Sequence, residues 1–185
     1  LSTMRQMFRH GLGRGMVETD PTLGLSRKQA GGKETPVERN LSFDEVKQLK
    51  KLMPATGLHA KLQAGLWLTL ATGVRVGELL KAKWSDVDLE HSLWTIPAEN
   101  SKNSRSHLIH LSRFALVQLE VLRDLRSGQF LFAGMKEGAH LSDKTLSKAV
   151  RDRIREIPLR RRTPKTGTLM LPGGEWSPHD LRRTL

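Results

Sequence analysis

The spacing of apolar residues, together with residues typical of helix ends, predicts seven helices along the chain. Two short runs rich in β-branched and aromatic residues, 93–96 and 107–111, instead predict β-strands, and the polar residues 97–106 between them predict a hairpin with a long basic tip. The expected fold class is therefore α+β and mostly helical, with a small antiparallel sheet on one side. The predicted helices cover about residues 1–12, 42–52, 59–72, 75–83, 113–126, 142–154 and a last segment that begins at Ser177.

Residues suited to cap a helix begin three of these segments. Ser42 and Glu45 have the spacing of a capping box, in which each side chain binds the backbone N–H of the other residue. Ser177 and Asp180 have the same spacing, with a proline at the first helical position. Ser142 is expected to cap the helix over 142–154. These starts predict where the helices begin without reference to the rest of the fold.

A polar stretch over residues 26–40 divides the chain into a short and a long part. It contains Gly31, Gly32 and Pro36 and no apolar period, which is typical of an interdomain linker. We therefore expect an amphipathic helix within residues 1–25, a linker over 26–40 and a globular domain over 41–185.

The charge of the chain is strongly positive. Its 185 residues have a net charge of +12, with 31 lysines and arginines against 19 acidic residues. Residues 148–185 alone carry ten basic and four acidic side chains. Such a surplus indicates a polyanionic partner, double-stranded DNA above all, although solubility or an anionic membrane surface would also account for charge alone. No apolar run is long enough to span a bilayer, and the absence of cysteine excludes disulfides and thiolate metal sites.

Three basic clusters are candidates for chemistry. Arg75 follows a glycine at a predicted helix start, and Glu78 lies three residues later on the same face. Lys102 lies in the predicted hairpin tip, and His179 and Arg182 lie one turn apart at the start of the last helix. Taken singly, each has an ordinary explanation: a surface ion pair, a solvated lysine, and a capped helix with scattered basic residues.

Taken together, the clusters resemble the catalytic domain of the tyrosine recombinases, the phage integrase family. The resemblance rests on Thr-Gly-x-Arg-x-x-Glu-Leu over 72–79, a lysine in a β-hairpin, and His-x-x-Arg-Arg-Thr over 179–184, in that order. It covers about residues 41–185. Residues 1–25 look like the last helix of the family's core-binding domain.

The resemblance implies a role for each candidate. Arg75 and Arg182 would bind the non-bridging oxygens of a scissile DNA phosphate, since guanidinium groups match them without a metal. Lys102 would protonate the departing 5′ oxygen as general acid. His179 would act as general base or as a hydrogen-bond donor to the phosphate, and Glu78 would orient Arg75. No cofactor and no metal are expected.

The nucleophile of that family is a tyrosine, which forms a 3′-phosphotyrosine link to DNA. The chain contains no tyrosine and ends three residues after Arg182. We therefore expect a fragment that binds DNA without cleaving it. Its parent is expected to be a site-specific recombinase that integrates or recombines DNA as a homotetramer in the bacterial cytoplasm.

Three other functions are compatible with parts of the sequence. A DNA-binding module without chemistry would use the basic helix starts only to hold phosphate. A type IB topoisomerase has a similar arrangement of catalytic residues, although the linker and upstream helix fit an integrase better. A metal-dependent nuclease fits less well, because the seven histidines form no paired motif with acidic ligands, and His107 and His110 fall on opposite sides of a predicted strand.

Overall fold

A computed structural model describes residues 1–31, 39–155 and 167–185 of the chain. The protein divides into two compact units, Leu1–Glu38 and Arg39–Leu185. No helix within the described ranges is both long and apolar enough to cross a membrane.

The described residues of the first unit, 1–31, contain two helices, α1 (Ser2–Gly13) and α2 (Arg27–Gly31). The amphipathic helix expected over 1–12 is present as α1. A turn follows at Asp20, whose carboxylate accepts hydrogen bonds from the backbone N–H and the hydroxyl of Thr22. The short α2 lies inside the stretch expected to be a linker, of which residues 32–38 lie outside the described part.

The second unit contains six helices and three strands in its described ranges. One short 3-10 turn, Met53–Thr56, follows the first of these helices, and a second, Trp84–Asp86, precedes the first strand. The helices are α3 (Phe43–Leu52), α4 (Ala60–Thr72), α5 (Val76–Lys81), α6 (Arg113–Asp124), α7 (Thr145–Ile154) and α8 (Pro178–Arg183), and the strands are β1 (Val87–Asp88), β2 (Leu93–Ile96) and β3 (His107–His110).

The strands form one antiparallel sheet in the order β1-β2-β3. Trp94 in the central strand pairs with Ile109 on one side and with Val87 on the other. Trp94 and Ile96 are buried while Thr95 between them is exposed, as the alternation of a strand with one face on a core requires. Ile96 pairs with His107, so residues 97–106 form the connection of a hairpin, as predicted.

Helix α4 lies at the centre of the second unit. It packs against α6 and α8 and also contacts α5 and α7, and such a position suits a helix that is apolar on nearly all sides. Close packing is visible at Gly65, where a Cβ atom would lie only 3.0 Å from the ring of Phe132. The two helices that carry the arginine motifs, α5 and α8, are therefore both placed by α4.

Two of the three predicted helix caps are confirmed. Ser42 and Glu45 form the reciprocal capping box of α3, and Asp180 accepts from the backbone N–H of Ser177 at 2.8 Å. The prediction that Ser142 caps a helix is wrong, because residues 142–145 form a turn and α7 begins at Thr145. The backbone N–H of Thr145 donates to the carbonyl of Ser142 at 2.8 Å, and this turn takes the place of the expected first helical turn.

Candidate functional site

Arg75 occupies the N-cap position of α5, directly after the turn that ends α4. Gly73 ends α4 in the left-handed conformation, with φ of +63°, which only glycine adopts without strain. Arg75 itself is extended, with φ of −73° and ψ of 146°. The backbone N–H of Arg75 donates to Glu78 Oε2 at 3.0 Å, and its guanidinium Nη1 donates to Glu78 Oε1 at 2.6 Å.

Glu78 holds Arg75 from a buried position. Its side chain is 4% exposed, against 34% for that of Arg75, so the carboxylate lies below and the guanidinium reaches the surface. Burial by itself raises the pKa of Glu78, but the two hydrogen bonds from Arg75 and the charges of Arg75 and His107 outweigh it and leave the pKa below the ordinary value. The carboxylate therefore stays ionised and restricts Arg75 to one orientation.

Helix α8 carries His179 and Arg182. Its start is fixed by Asp180, which accepts from the backbone N–H and the hydroxyl of Ser177, both at 2.8 Å. Asp180 also accepts from Arg183 at 3.2 Å. His179 is exposed and Arg182 is half-buried, so both side chains reach solvent from the same short helix. The neighbouring Asp180 carboxylate is already hydrogen-bonded to Ser177 and Arg183.

The turn before Arg75 and the end of α8 are adjacent. A Cβ atom on Gly73 would lie 2.9 Å from Leu185 Cδ1. Gly73 lies two residues before Arg75, and Leu185 lies three residues after Arg182. Helix α4 packs against both α5 and α8, which explains the approach. The structure thus brings together the two segments that carry the predicted arginines.

Lys102 lies apart from these contacts. It occupies an exposed turn in the connection between β2 and β3, as predicted, and forms no hydrogen bond or ion pair with another residue in the described ranges. His107, at the end of the same connection, opens β3, and its charge helps to lower the pKa of Glu78.

Among the described residues of the second unit, the arginines differ in whether the guanidinium group has hydrogen-bond partners. Arg153 donates to the carbonyls of Thr56, Gly57 and Ala149 at 3.0–3.1 Å, and such an arginine only holds the fold together. In contrast, Arg182 and His179 have no hydrogen-bond partner among the residues that the structure describes, and the guanidinium of Arg75 engages Glu78 through Nη1 alone. Unpaired guanidinium and imidazole donors at an accessible surface are suited to bind an oxyanion.

Two features of the surface escaped the sequence analysis. His107 was considered only as a metal ligand, and its proximity to Glu78 depends on the tertiary fold. The other feature is a basic stripe along α7, formed by Lys144 at its N-cap position and by Lys148 and Arg151 within the helix, all exposed. Their spacing of four and three residues places them on one helix face, and this spacing was a usable signal. Together they give the second unit a positive helix face outside the arginine motifs.

The described part of the chain has no cluster of side chains suited to bind a metal ion. Within residues 1–31, 39–155 and 167–185, no three histidine, aspartate or glutamate side chains cluster in a way that could hold a metal ion. The ion pair of His91 with Asp88, at 2.8 Å, involves only two such groups.

The stability of the protein is expected to fall in acid through Glu78. Because its pKa in the folded state lies below the ordinary value of 4.5, its ionised form stabilises the fold above that value, and this contribution is lost as the pH falls through the folded pKa. Urea unfolding between about pH 3 and pH 7 should show a smaller acid-induced loss for Glu78→Gln than for the wild type. Glu120→Gln, at an exposed position of α6, serves as the control. Equal acid dependence in Glu78→Gln and the wild type would contradict the assignment.

Comparisons with known proteins identify relatives of the chain. A model of the phage integrase family matches residues 39–185. The chain is 26% identical to the prophage integrase IntA of Escherichia coli K12 over 142 residues, which cover 74% of the chain and 33% of that protein. It is 27% identical to the tyrosine recombinase XerD of Brucella abortus over 168 residues, which cover 82% and 52%. The chain thus spans about a third to a half of these relatives.

The fold is also found among solved structures. A lambda integrase dimer bound to a COC′ core site superposes with a TM-score of 0.58 and 22% identity, covering 98% of the chain and 59% of that protein. The Tn1549 transposon integrase in complex with a circular intermediate DNA superposes with a TM-score of 0.60 and 15% identity, covering 97% and 62%. The predicted fold class, mostly helical with a small antiparallel sheet of the integrase type, is confirmed.

Proposed function

Because the chain belongs to the phage integrase family, whose model matches residues 39–185, we propose that it is the phosphate-binding part of a site-specific tyrosine recombinase. The observation that carries the proposal is the adjacency of two segments with accessible, basic side chains. One segment holds Arg75 on the buried Glu78, and the other is α8 with His179 and Arg182. The relatives are integrases and Xer recombinases, which favours a recombinase over a type IB topoisomerase.

Arg75 and Arg182 bind the non-bridging oxygens of the scissile phosphate. Charge develops on these oxygens during phosphoryl transfer, and fixed donors aimed at them lower the barrier because they need no reorganisation. Glu78 contributes by fixing Arg75 before DNA arrives. His179 donates a hydrogen bond to the same phosphate or accepts the proton of the nucleophile.

Lys102 is the general acid for the leaving 5′ oxygen. Its position in a hairpin connection allows it to reach the leaving group when DNA fills the surface, since connections of this kind adjust on binding. The nucleophile is a tyrosine that the 185-residue chain does not contain. It attacks the phosphorus, forms a 3′-phosphotyrosine bond and expels the 5′ oxygen, which takes its proton from Lys102.

Double-stranded DNA is the partner of this surface. The net charge of +12 and the basic stripe on α7 supply the sequence-independent attraction to phosphate. The lambda and Tn1549 integrases that share the fold are described as complexes with DNA. The longer protein acts as a homotetramer on DNA in the bacterial cytoplasm, and the chain by itself acts as a DNA-binding module without cleavage.

The proposal predicts weak, salt-dependent binding of the chain to duplex DNA. Each phosphate that is neutralised contributes a slope of about −0.9 in a plot of log affinity against log salt concentration. Fluorescence anisotropy with a labelled duplex measures this slope, and Lys148→Ala should make it shallower by about one unit if the α7 stripe contacts phosphate.

The same chain should form no covalent adduct with DNA. Incubation with a nicked substrate, followed by a denaturing gel, tests this expectation. A covalent band would show that another residue acts as nucleophile, and binding that does not respond to salt would argue against a phosphate-binding surface.

A further inference from the structure

The first residues of the second unit bind the loop that leads into α8. Arg39 Nη2 donates to Glu45 Oε1 at 2.7 Å and approaches the carbonyl of Gly174 at 3.4 Å. The backbone N–H of Gly173 donates to the same Glu45 oxygen at 2.9 Å. We call this group of Arg39, Glu45, Gly173 and Gly174 the Glu45 clasp. It joins residues that are more than 120 positions apart in the chain.

The loop fits closely against the ion pair. A Cβ atom on Gly173 would collide with the guanidinium of Arg39 and lie 2.7 Å from Glu45 Oε1. The backbone of the loop is therefore in direct contact with the clasp, with no room for a side chain between them. Three residues further along, the indole of Trp176 donates to the carbonyl of Leu169 at 2.8 Å, which holds the rest of the loop.

The other end of α8 is tied to the same segment. The backbone N–H of Leu41 donates to the hydroxyl oxygen of Thr184 at 2.9 Å. That hydroxyl in turn donates to the carbonyl of Asp180, at 2.8 Å, inside α8. Residues 39–45 thus contact the chain just before α8 and just after it.

Glu45 is suited to this position because it is buried and both of its carboxylate oxygens accept hydrogen bonds. It is 7% exposed, and its second oxygen accepts from the backbone N–H of Ser42 at 3.0 Å. Burial raises the pKa of Glu45, but hydrogen bonds from Ser42, Arg39 and Gly173 and the charge of Arg39 together lower it below the ordinary value. The group remains an acceptor at neutral pH.

We propose that Arg39, Glu45 and Thr184 are positioning residues, which hold α8 at both ends so that His179 and Arg182 meet the DNA phosphate together. The inference rests on the proposed function. A helix of six residues has too few internal hydrogen bonds to hold its own place, and its position therefore depends on the contacts at its ends. None of the three positioning residues needs to touch DNA.

The test compares two substitutions that change the charge equally. Glu45→Gln and Asp44→Asn each remove one negative charge, and Asp44 is a neighbouring, exposed residue of α3. If charge alone mattered, both variants would bind duplex DNA slightly more tightly than the wild type. Glu45→Gln instead turns an amide NH₂ toward a backbone N–H, so we expect its affinity to fall about five- to tenfold, while Asp44→Asn shows no loss.

A second comparison identifies the route of the effect. In a background with His179→Ala and Arg182→Ala, Glu45→Gln should cause no further loss, because residues that act through a shared contact are not additive. A full additional loss in that background would overturn positioning through α8 while leaving the proposed function intact. If His179→Ala and Arg182→Ala, introduced together with Glu45 unchanged, had no effect on DNA affinity, the proposed function itself would fail.

Thr184→Val provides an independent readout if Glu45→Gln does not fold, as judged by circular dichroism. It removes the acceptor for Leu41 without a change of charge or of shape, and we expect about a threefold or greater loss of DNA affinity. The proposal would be overturned if Thr184→Val and a folded Glu45→Gln both bound DNA with wild-type affinity. If Glu45→Gln does not fold, wild-type affinity in Thr184→Val alone would overturn it.

Discussion

Arg75→Ala and Arg182→Ala are each expected to slow DNA cleavage by about 100-fold or more, as the loss of one preorganised donor to a transition state typically does. The experiment requires a chimaera in which the chain is followed by the tyrosine-bearing segment of a family member. Arg75 is held by the buried Glu78 through a 2.6 Å contact, so no other side chain can take its place at low cost. The measured quantity is the rate of covalent protein–DNA adduct formation in a single turnover.

The control for this experiment is Arg123→Ala, which removes an exposed arginine from α6 and should leave the rate nearly unchanged. Cleavage should also survive EDTA, because in the proposed mechanism side chains meet the charge on the phosphate. Loss of cleavage in EDTA, or equal rates for Arg75→Ala and Arg123→Ala, would require the roles of the arginines to be withdrawn.

Lys102→Ala is expected to reduce cleavage of a normal substrate by about 100-fold or more, the usual contribution of a general acid. The same variant should cleave at nearly the wild-type rate when the 5′ leaving oxygen is replaced by sulfur, because a thiolate departs without a proton. Arg75→Ala should not be rescued by sulfur, since the proposed role of Arg75 is to stabilise charge on the non-bridging oxygens. The two substrates therefore separate proton donation from charge stabilisation.

A Lys102→Ala variant that remains slow on the sulfur substrate would argue against the general-acid role. The free side chain makes this outcome informative, because Lys102 has no hydrogen-bond or ion-pair partner within the described ranges and its removal leaves no buried group unsatisfied. A loss that sulfur does not restore would instead indicate that Lys102 contacts the DNA backbone.

Local sequence signals were sufficient to predict most of the secondary structure. The capping boxes at Ser42 and Ser177 involve residues three positions apart, so their geometry is already set once a helix forms. The left-handed glycine that ends α4 is likewise a local requirement. The pairing of Arg75 with Glu78 belongs to the same class, because the two groups lie within one helical turn.

Features that depend on tertiary contact could not be predicted in this way. Ser142 has the right residue type for a cap, but the turn at 142–145 competes with the first helical turn there. The Glu45 clasp joins Arg39 to Gly174, 135 positions away, and no spacing rule covers such a distance. The resemblance to a known family implied that Arg75 and Arg182 share one phosphate, and the packing of α4 against α5 and α8 shows how their segments meet.

The glycine that ends α4 limits how the protein can be made more thermostable. Replacing a glycine by alanine often stabilises a protein, because the unfolded chain then has fewer conformations to lose. At Gly73 that strategy fails because its φ of +63° is unfavourable for a residue with a side chain. The Leu185 side chain, whose Cδ1 would lie 2.9 Å from a Cβ atom, is exposed and can move aside. Engineering for heat resistance must therefore leave this turn unchanged and look for gains elsewhere, since a residue other than glycine here would strain the backbone two residues before Arg75.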